Sequence, residues 1–227
     1  MATGLGTSTY NTPRARTFSE LKRDVASYVM MPDQGEALVA AGVGLNNAIR
    51  KLNARAWKWS ITYTDITLAA GTYDYTLPND FKDVYAMSYL DTSGNPSDHL
   101  GYMQAKEFEQ TFKSSAVQVS PSVATVINAK SSLILSLNYA PNADFIASKP
   151  TARVRYFKRL PILVSESDRP DVYGEVENFL TWSGRTYVSS IYDPAKMKHA
   201  QLETAMAFQD LVADDNETGY RDWPEDY

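Results

Sequence analysis

The chain has 227 residues and no cysteine, enough length for one large domain or two small ones, and it excludes disulfides, thiolate nucleophiles and cysteine-based metal sites. Hydrophobic residues at 44% and charged residues at 22% are an ordinary globular balance, and a net charge of −5 argues against a surface given over to nucleic-acid backbone, although a local basic strip fits within that average. Residues 1–16 lack an apolar core of signal-peptide length and no window approaches a membrane span, which predicts a soluble protein used without export.

Residues 1–16 (MATGLGTSTYNTPRAR) carry almost no apolar periodicity, which fits a flexible arm or an arm that orders only against a neighbouring subunit. Residues 17–59 read as helical. Thr17 and Glu20 have capping-box spacing, and Phe18, Leu21, Val25 and Tyr28 form a stripe that Pro32 ends. Asp33 and Glu36 start a second helix, expected to run to about Lys58, with Leu38, Leu45, Ile49, Leu52, Ala56 and Trp59 on one face. Gly42 and Gly44 weaken it locally and mark either a close helix approach or a kink. Their Gly-x-Gly spacing has no following Gly-Lys-Ser/Thr and no preceding strand, so it is a poor phosphate loop.

Residues 60–163 read as a β-rich insert. From Ser60 the period changes to two, with Ile61, Tyr63, Asp65 and Thr67 on one side and Thr62, Thr64, Ile66 and Leu68 on the other. Strands are expected at 60–68, 73–77 and 82–90. Ala70-Gly71-Thr72 supplies a turn, and Pro78 ends strand pairing because it has no N–H to donate. A turn-rich loop at 91–97, a short helix at 103–113, a hairpin of 123–127 with 133–137 and a strand at 152–158 follow, together a mostly antiparallel sheet or small sandwich. Residues 164–213 return to helix. Val172, Val176, Phe179, Leu180, Tyr187 and Ile191 mark one helix, and Asp193-Pro194 restarts another bearing Leu202, Ala205, Met206 and Leu211. The expected fold is α+β: a four-helix bundle from both ends of the chain with an antiparallel β-domain inserted.

Residues 214–227 form an acidic-aromatic tail. Asp214, Asp215, Glu217, Asp222, Glu225 and Asp226 face a single Arg221, with Tyr220, Trp223 and Tyr227 between them. The acids suit a solvated tail, while the aromatic residues suit docking on a partner. The 15 tyrosines of the whole chain suit either a half-buried sheet or an interface.

No catalytic constellation stands out. His99 and His199 lack a metal-binding spacing, Ser19 and Ser183 lack a G-x-S-x-G context, and neither a metal nor a cofactor is implied. With 27 acidic residues, a carboxylate-dependent hydrolase stays as the enzymatic alternative to a non-enzyme. Arg50, Lys51, Arg55 and Lys58 fall on adjacent positions of the expected second helix; they suit a solvated face, or a strip meeting phosphate in a DNA channel.

One stretch carries a family resemblance. Trp57 and Trp59 at a helix end, a Thr/Tyr-rich strand pair and then Gly71-x-Tyr73-x-Tyr75-x-Leu77-Pro78-x-Asp80-Phe81 resemble the head-to-tail adaptor, or connector, proteins of tailed bacteriophages. The likeness extends from about Phe18 to Leu211. It implies a structural virion protein of the neck, made in the host cytoplasm. Copies would form a homo-oligomeric ring, typically dodecameric, beneath the portal. That ring would extend the channel for genomic DNA and present a platform to a downstream tail protein such as a nozzle, hub or stopper, with no membrane involved. In some members an extended C-terminus embraces the portal, which assigns that role here to Tyr220, Trp223 and Tyr227. Another virion ring protein, such as a stopper or tail-completion protein, is the nearest alternative.

Overall fold

The computed structural model describes residues 15–112, 118–129, 132–170, 172 and 174–217. Helices α1 (Phe18–Ser27) and α2 (Gly35–Asn53) lead through a 3-10 turn (Lys58–Ser60) to β1 (Ile61–Thr67), β2 (Asp74–Thr76), β3 (Phe81–Leu90), β4 (Pro96–His99) and β5 (Gly101–Tyr102). Then come α3 (Ala105–Thr111), β6 (Gln118–Val119), β7 (Val123–Ala129), β8 (Ser132–Leu137), β9 (Ala140–Pro141), α4 (Ala143–Ser148) and β10 (Thr151–Lys158). Helices α5 (Gly174–Tyr192) and α6 (Pro194–Glu217) close the described chain. The fold is thus α+β, helical toward both ends with the strands between. It divides into two compact units, Met1–Leu52 with Leu160–Asp214 and Asn53–Arg159 with Asp215–Tyr227.

The helical unit is built on the signals its sequence carries. The capping box forms as spaced: the Glu20 N–H donates to Thr17 Oγ1 at 3.2 Å, and the Thr17 N–H donates to Glu20 Oε2 at 2.6 Å. The next two N–H groups of α1, on Phe18 and Ser19, donate to the carbonyls of Asp168 and Glu166 at 2.7 and 3.1 Å, so the link before α5 satisfies the helix start. Helix α5 is the central one, with Val176, Leu180, Gly184 and Val188 all buried. A Cβ on Gly44 would stand 2.9 Å from Tyr187 Cβ and 3.1 Å from Gly184 Cα, and one on Gly184 would stand 2.9 Å from Val25 Cγ2. Of the two expectations for Gly44, close approach is therefore the outcome: the backbones of α2 and α5 meet there. On another side of α5, Phe179 packs on Phe208 of α6 with ring centroids 5.5 Å apart, and the Thr186 and Thr204 hydroxyls lie 2.9 Å apart.

An ion network ties α1 to α5. Arg16 donates to Asp24 Oδ2 (2.5 Å), Glu177 Oε1 (2.6 Å) and Thr181 Oγ1 (3.1 Å), and Arg185 donates to Asp24 Oδ1 at 2.8 Å. Burial disfavours the Asp24 carboxylate, but hydrogen bonds from both guanidinium groups outweigh it and hold its pKa below the ordinary value. A depressed folded pKa adds stability above the unfolded pKa of about 4, and that stability is lost as pH falls through the folded value. Asp24→Asn should cost about 2 kcal/mol at neutral pH, the usual scale for hydrogen bonds to a charged group. It should also flatten the acid limb of stability, as read by urea titration from about pH 7 to about pH 3.

The β-rich unit holds sheets in the orders β1-β10-β3-β4 and β2-β8-β7-β5, with a short β6-β9 pair. Pairing is antiparallel except for β5 with β7 and β6 with β9. Ile66, Met87, Tyr89, Val154 and Tyr156 of the first sheet share one core with Leu135, Leu137 and Ala124 of the second. That arrangement is a small sandwich. Strands β1 and β2 do not pair with each other across the Gly71 turn. Gly71, at φ +77°, lets the chain change sheets, so β1 pairs with β10 and β2 with β8. The 123–127/133–137 hairpin forms as β7 and β8, with Lys130 and Ser131 outside the described residues. Strand β4 begins at the end of the expected turn cluster, where Asp91 Oδ1 accepts the Ser93 and Asn95 N–H groups at 2.8 and 2.9 Å and folds the chain back on β3.

Two helix ends differ from their sequence reading. Helix α2 stops at Asn53 rather than near Lys58: the Arg55 carbonyl accepts from Lys82 Nζ instead of continuing the helical ladder, and Trp57, not Ala56, is the buried side chain. Helix α6 runs on through Glu217, so Asp214 and Asp215 are helical rather than part of an extended tail.

Candidate functional site

The Gly71–Phe81 stretch is an internal brace of the sandwich. The Tyr75 hydroxyl accepts the Ala69 N–H at 3.2 Å and donates to the Thr72 carbonyl at 2.8 Å, closing the turn from the far side. Leu77 and Phe81 are buried on either side of Pro78. Tyr156 donates its hydroxyl to Asp80 Oδ1 at 3.0 Å and stacks on Phe81 at 5.1 Å, while the Asp80 carbonyl accepts the Arg159 N–H at 2.7 Å. Burial first, and the bond to Asp80 second, push the Tyr156 hydroxyl up to about 12, so it stays a neutral donor. Of the aromatic residues in this stretch, Tyr73 is the exposed one, at 44%. Trp57 is buried beneath the Arg55 guanidinium, which lies 4.5 Å from its ring, and Trp59 packs beside it at 6.1 Å.

Asp215 is a residue that sequence reasoning misplaced. It is buried at 4% exposure, accepts the Lys58 N–H at 2.6 Å, and faces Arg55 Nη2 at 3.8 Å. Its charge belongs to the fold, because an N–H and a guanidinium replace the water it gives up.

The four basic residues of the expected strip do not share one helix. Arg50 and Lys51 lie on the last turns of α2, Arg50 donating to Asn47 Oδ1 at 2.8 Å. Arg55 and Lys58 belong to the β-rich unit, Arg55 turned to Trp57 and Asp215. Tyr220, Trp223 and Tyr227 lie outside the described residues. Neither histidine forms a metal site. His199 Nδ1 is 2.9 Å from the Tyr28 hydroxyl and its Nε2 is 3.6 Å from Glu203, while His99 sits on the exposed edge strand β4. Among the described residues no three His, Cys, Asp or Glu side chains cluster to hold a metal ion.

The helical unit exposes aliphatic side chains on two of its helices. On α2, Val39 and Val43 are 69% and 41% exposed, one turn apart on the side opposite Leu45 and Ile49. Beside them a groove of about 360 Å³ is lined by Phe18, Lys22, Leu38, Gly42, Asn46 and Arg50. Asn46 also pairs with the Leu163 backbone in both directions, at 2.9 and 3.0 Å, and leaves the neighbouring Val164 at 82% exposure. On α6 the expected partly buried face of Leu202, Ala205, Met206 and Leu211 holds only at Leu211. Leu202 and Met206 are 59% and 50% exposed, and the buried side is Ala200, Ala207 and Leu211. Small side chains and Phe208 meet α5, while Leu202 and Met206 stand out in solvent. The i, i+4 spacing of Val39 with Val43 and of Leu202 with Met206 was the signal for both outer stripes, hidden because periodicity alone does not say which face is buried.

Exposed aliphatic stripes on a helical unit, together with a braced β-sandwich, describe an α+β protein with surface suited to protein contacts. The family model described as SU10 adaptor protein matches residues 16–223, and the chain belongs to that family of tailed-phage head-to-tail adaptors. No curated protein compared with the chain matches it. Membership makes this a phage adaptor protein and implies a place in the virion neck and dealings with portal and tail proteins in general. No described helix is long and apolar enough to cross a membrane.

Proposed function

We propose that copies of this chain assemble as a ring, dodecameric by analogy with the family, that joins the portal to the tail and extends the DNA channel. The carrying observation, beside family membership, is that the helical unit has two different exposed aliphatic stripes, on α2 and on α6. Two unlike patches on one subunit favour head-to-tail contacts, which close into rings when the rotation allows. The C-terminal Tyr220, Trp223 and Tyr227 dock on the portal, aromatic anchors supplying the affinity and the surrounding acids the orientation. A nozzle, hub or stopper then binds the opposite side. The work is mechanical, with binding energy in place of catalysis. Mixed with the purified portal of its phage, the protein should sediment with it in fixed stoichiometry; recovery of free adaptor alone would refute the reading.

Within the basic strip, DNA contact in the channel is assigned to Lys51 and Lys58, both exposed. Lys51→Glu with Lys58→Glu should lower the salt needed to elute the assembled ring from a DNA resin, with the log–log salt slope falling by about 2. An unchanged elution profile would remove DNA contact from these residues.

A further inference from the structure

We propose that the outer stripe of α2 in one copy receives the outer stripe of α6 in the next copy, the two helices lying parallel. This rests on the ring reading above and names the contact that would build it. On α2 the exposed order is Glu36, Val39, Val43, Arg50; on α6 it is Lys198, Leu202, Met206, Asp210. At about 1.5 Å per residue, Glu36 and Arg50 stand roughly 21 Å apart and Lys198 and Asp210 roughly 18 Å apart. Laid parallel, the aliphatic pairs coincide and both ends meet opposite charge, Glu36 with Lys198 and Arg50 with Asp210. Laid antiparallel, both ends meet like charge, which costs affinity.

None of these four charged residues has an ion-pair partner among the described residues. The groove beside Val39 and Val43 gives Met206 or Leu202 a place to insert, with Phe18 and Leu38 as its apolar walls and Lys22 and Arg50 as its basic residues. Pairing α2 with a second α2 would leave Leu202 and Met206 uncovered. The unlike pairing covers both stripes with a single kind of contact that repeats from copy to copy.

The absence of native cysteine makes the test clean. Val43→Cys with Met206→Cys in one full-length chain, oxidised both alone and bound to purified portal, should give a ladder of dimers, trimers and higher species. Each single-cysteine variant should give no ladder. Arg50→Glu added to the double-cysteine chain should cut the ladder about tenfold, and Asp210→Arg added in turn should restore it. A Val43→Cys chain that links into dimers, a ladder indifferent to both charge changes, or no ladder at all would overturn this contact. Should symmetric rings still be seen on the portal in that case, the ring reading survives and only this interface falls; without rings both fall.

Discussion

Gly44→Val should unfold the helical unit at temperatures where the native chain is intact. Position 44 has no room for a side chain: even a Cβ would come within 2.9 Å of Tyr187 Cβ and 3.2 Å of the Gly184 carbonyl oxygen. The Gly184 oxygen, like the Gly184 Cα at 3.1 Å, is backbone that cannot swing aside, so α2 and α5 would have to separate. Separation loosens Leu45, Ile49 and Leu180, all fully buried in this unit. Overpacking alone costs about 1–3 kcal/mol, and lost burial adds to it, so the expected loss is at least about 3 kcal/mol. Calorimetry reads this directly. The transition of the helical unit should move down by many degrees, and an unmoved transition would contradict the described helix crossing. Gly42→Ala is the informative contrast. Its nearest neighbours are the Phe18 ring edge at 3.0 Å and Lys22 Cδ at 3.3 Å, side chains that can yield, so it should be tolerated far better.

Removing residues 218–227 should abolish attachment to the portal while leaving the fold unchanged. The cut is placed after Glu217 for a physical reason. A deletion from Asp214 would also remove Asp215, whose carboxylate accepts the Lys58 N–H and faces Arg55, and would confound lost binding with lost stability. With Asp215 kept, circular dichroism and melting should match the full chain. A buried aromatic anchor contributes about 2 kcal/mol or more, roughly 30-fold in Kd, so Trp223→Ala alone should weaken portal binding by that factor. Loss of all three aromatic residues should take it below detection. Normal attachment of the truncated chain would refute the role of the tail.

These predictions rest unequally on what the sequence makes legible. Local chemistry reads well. Thr17 and Glu20 cap α1 because two polar groups at the right spacing satisfy two orphan donors, and Asp193-Pro194 breaks α5 from α6 because proline suits a first helical turn. Alternation put Ile66 and Leu68 on the same side of the extended chain, and both are buried. What failed to read was long-range. The apolar period through Ala56 and Trp59 continues helically, yet Lys82, 27 residues further on, takes the Arg55 carbonyl. Four acidic or amide residues at 214–217 look like the end of a helix, since carboxylates oppose the helix dipole there. The Lys58 N–H and Arg55 reverse that for Asp215. Leu202 and Met206 were misjudged because bulk suggests burial, whereas α6 buries Ala200, Ala207 and Leu211. The pairing of β1 with β10 has no local signature at all.

The central claim, a ring that joins portal to tail, is tested most directly by electron microscopy of the purified chain mixed with its portal, beside each component alone. A symmetric collar added beneath the portal, with neighbouring copies in head-to-tail contact through their helical units, is the predicted result. A portal that stays bare while the chain remains monomeric would contradict it.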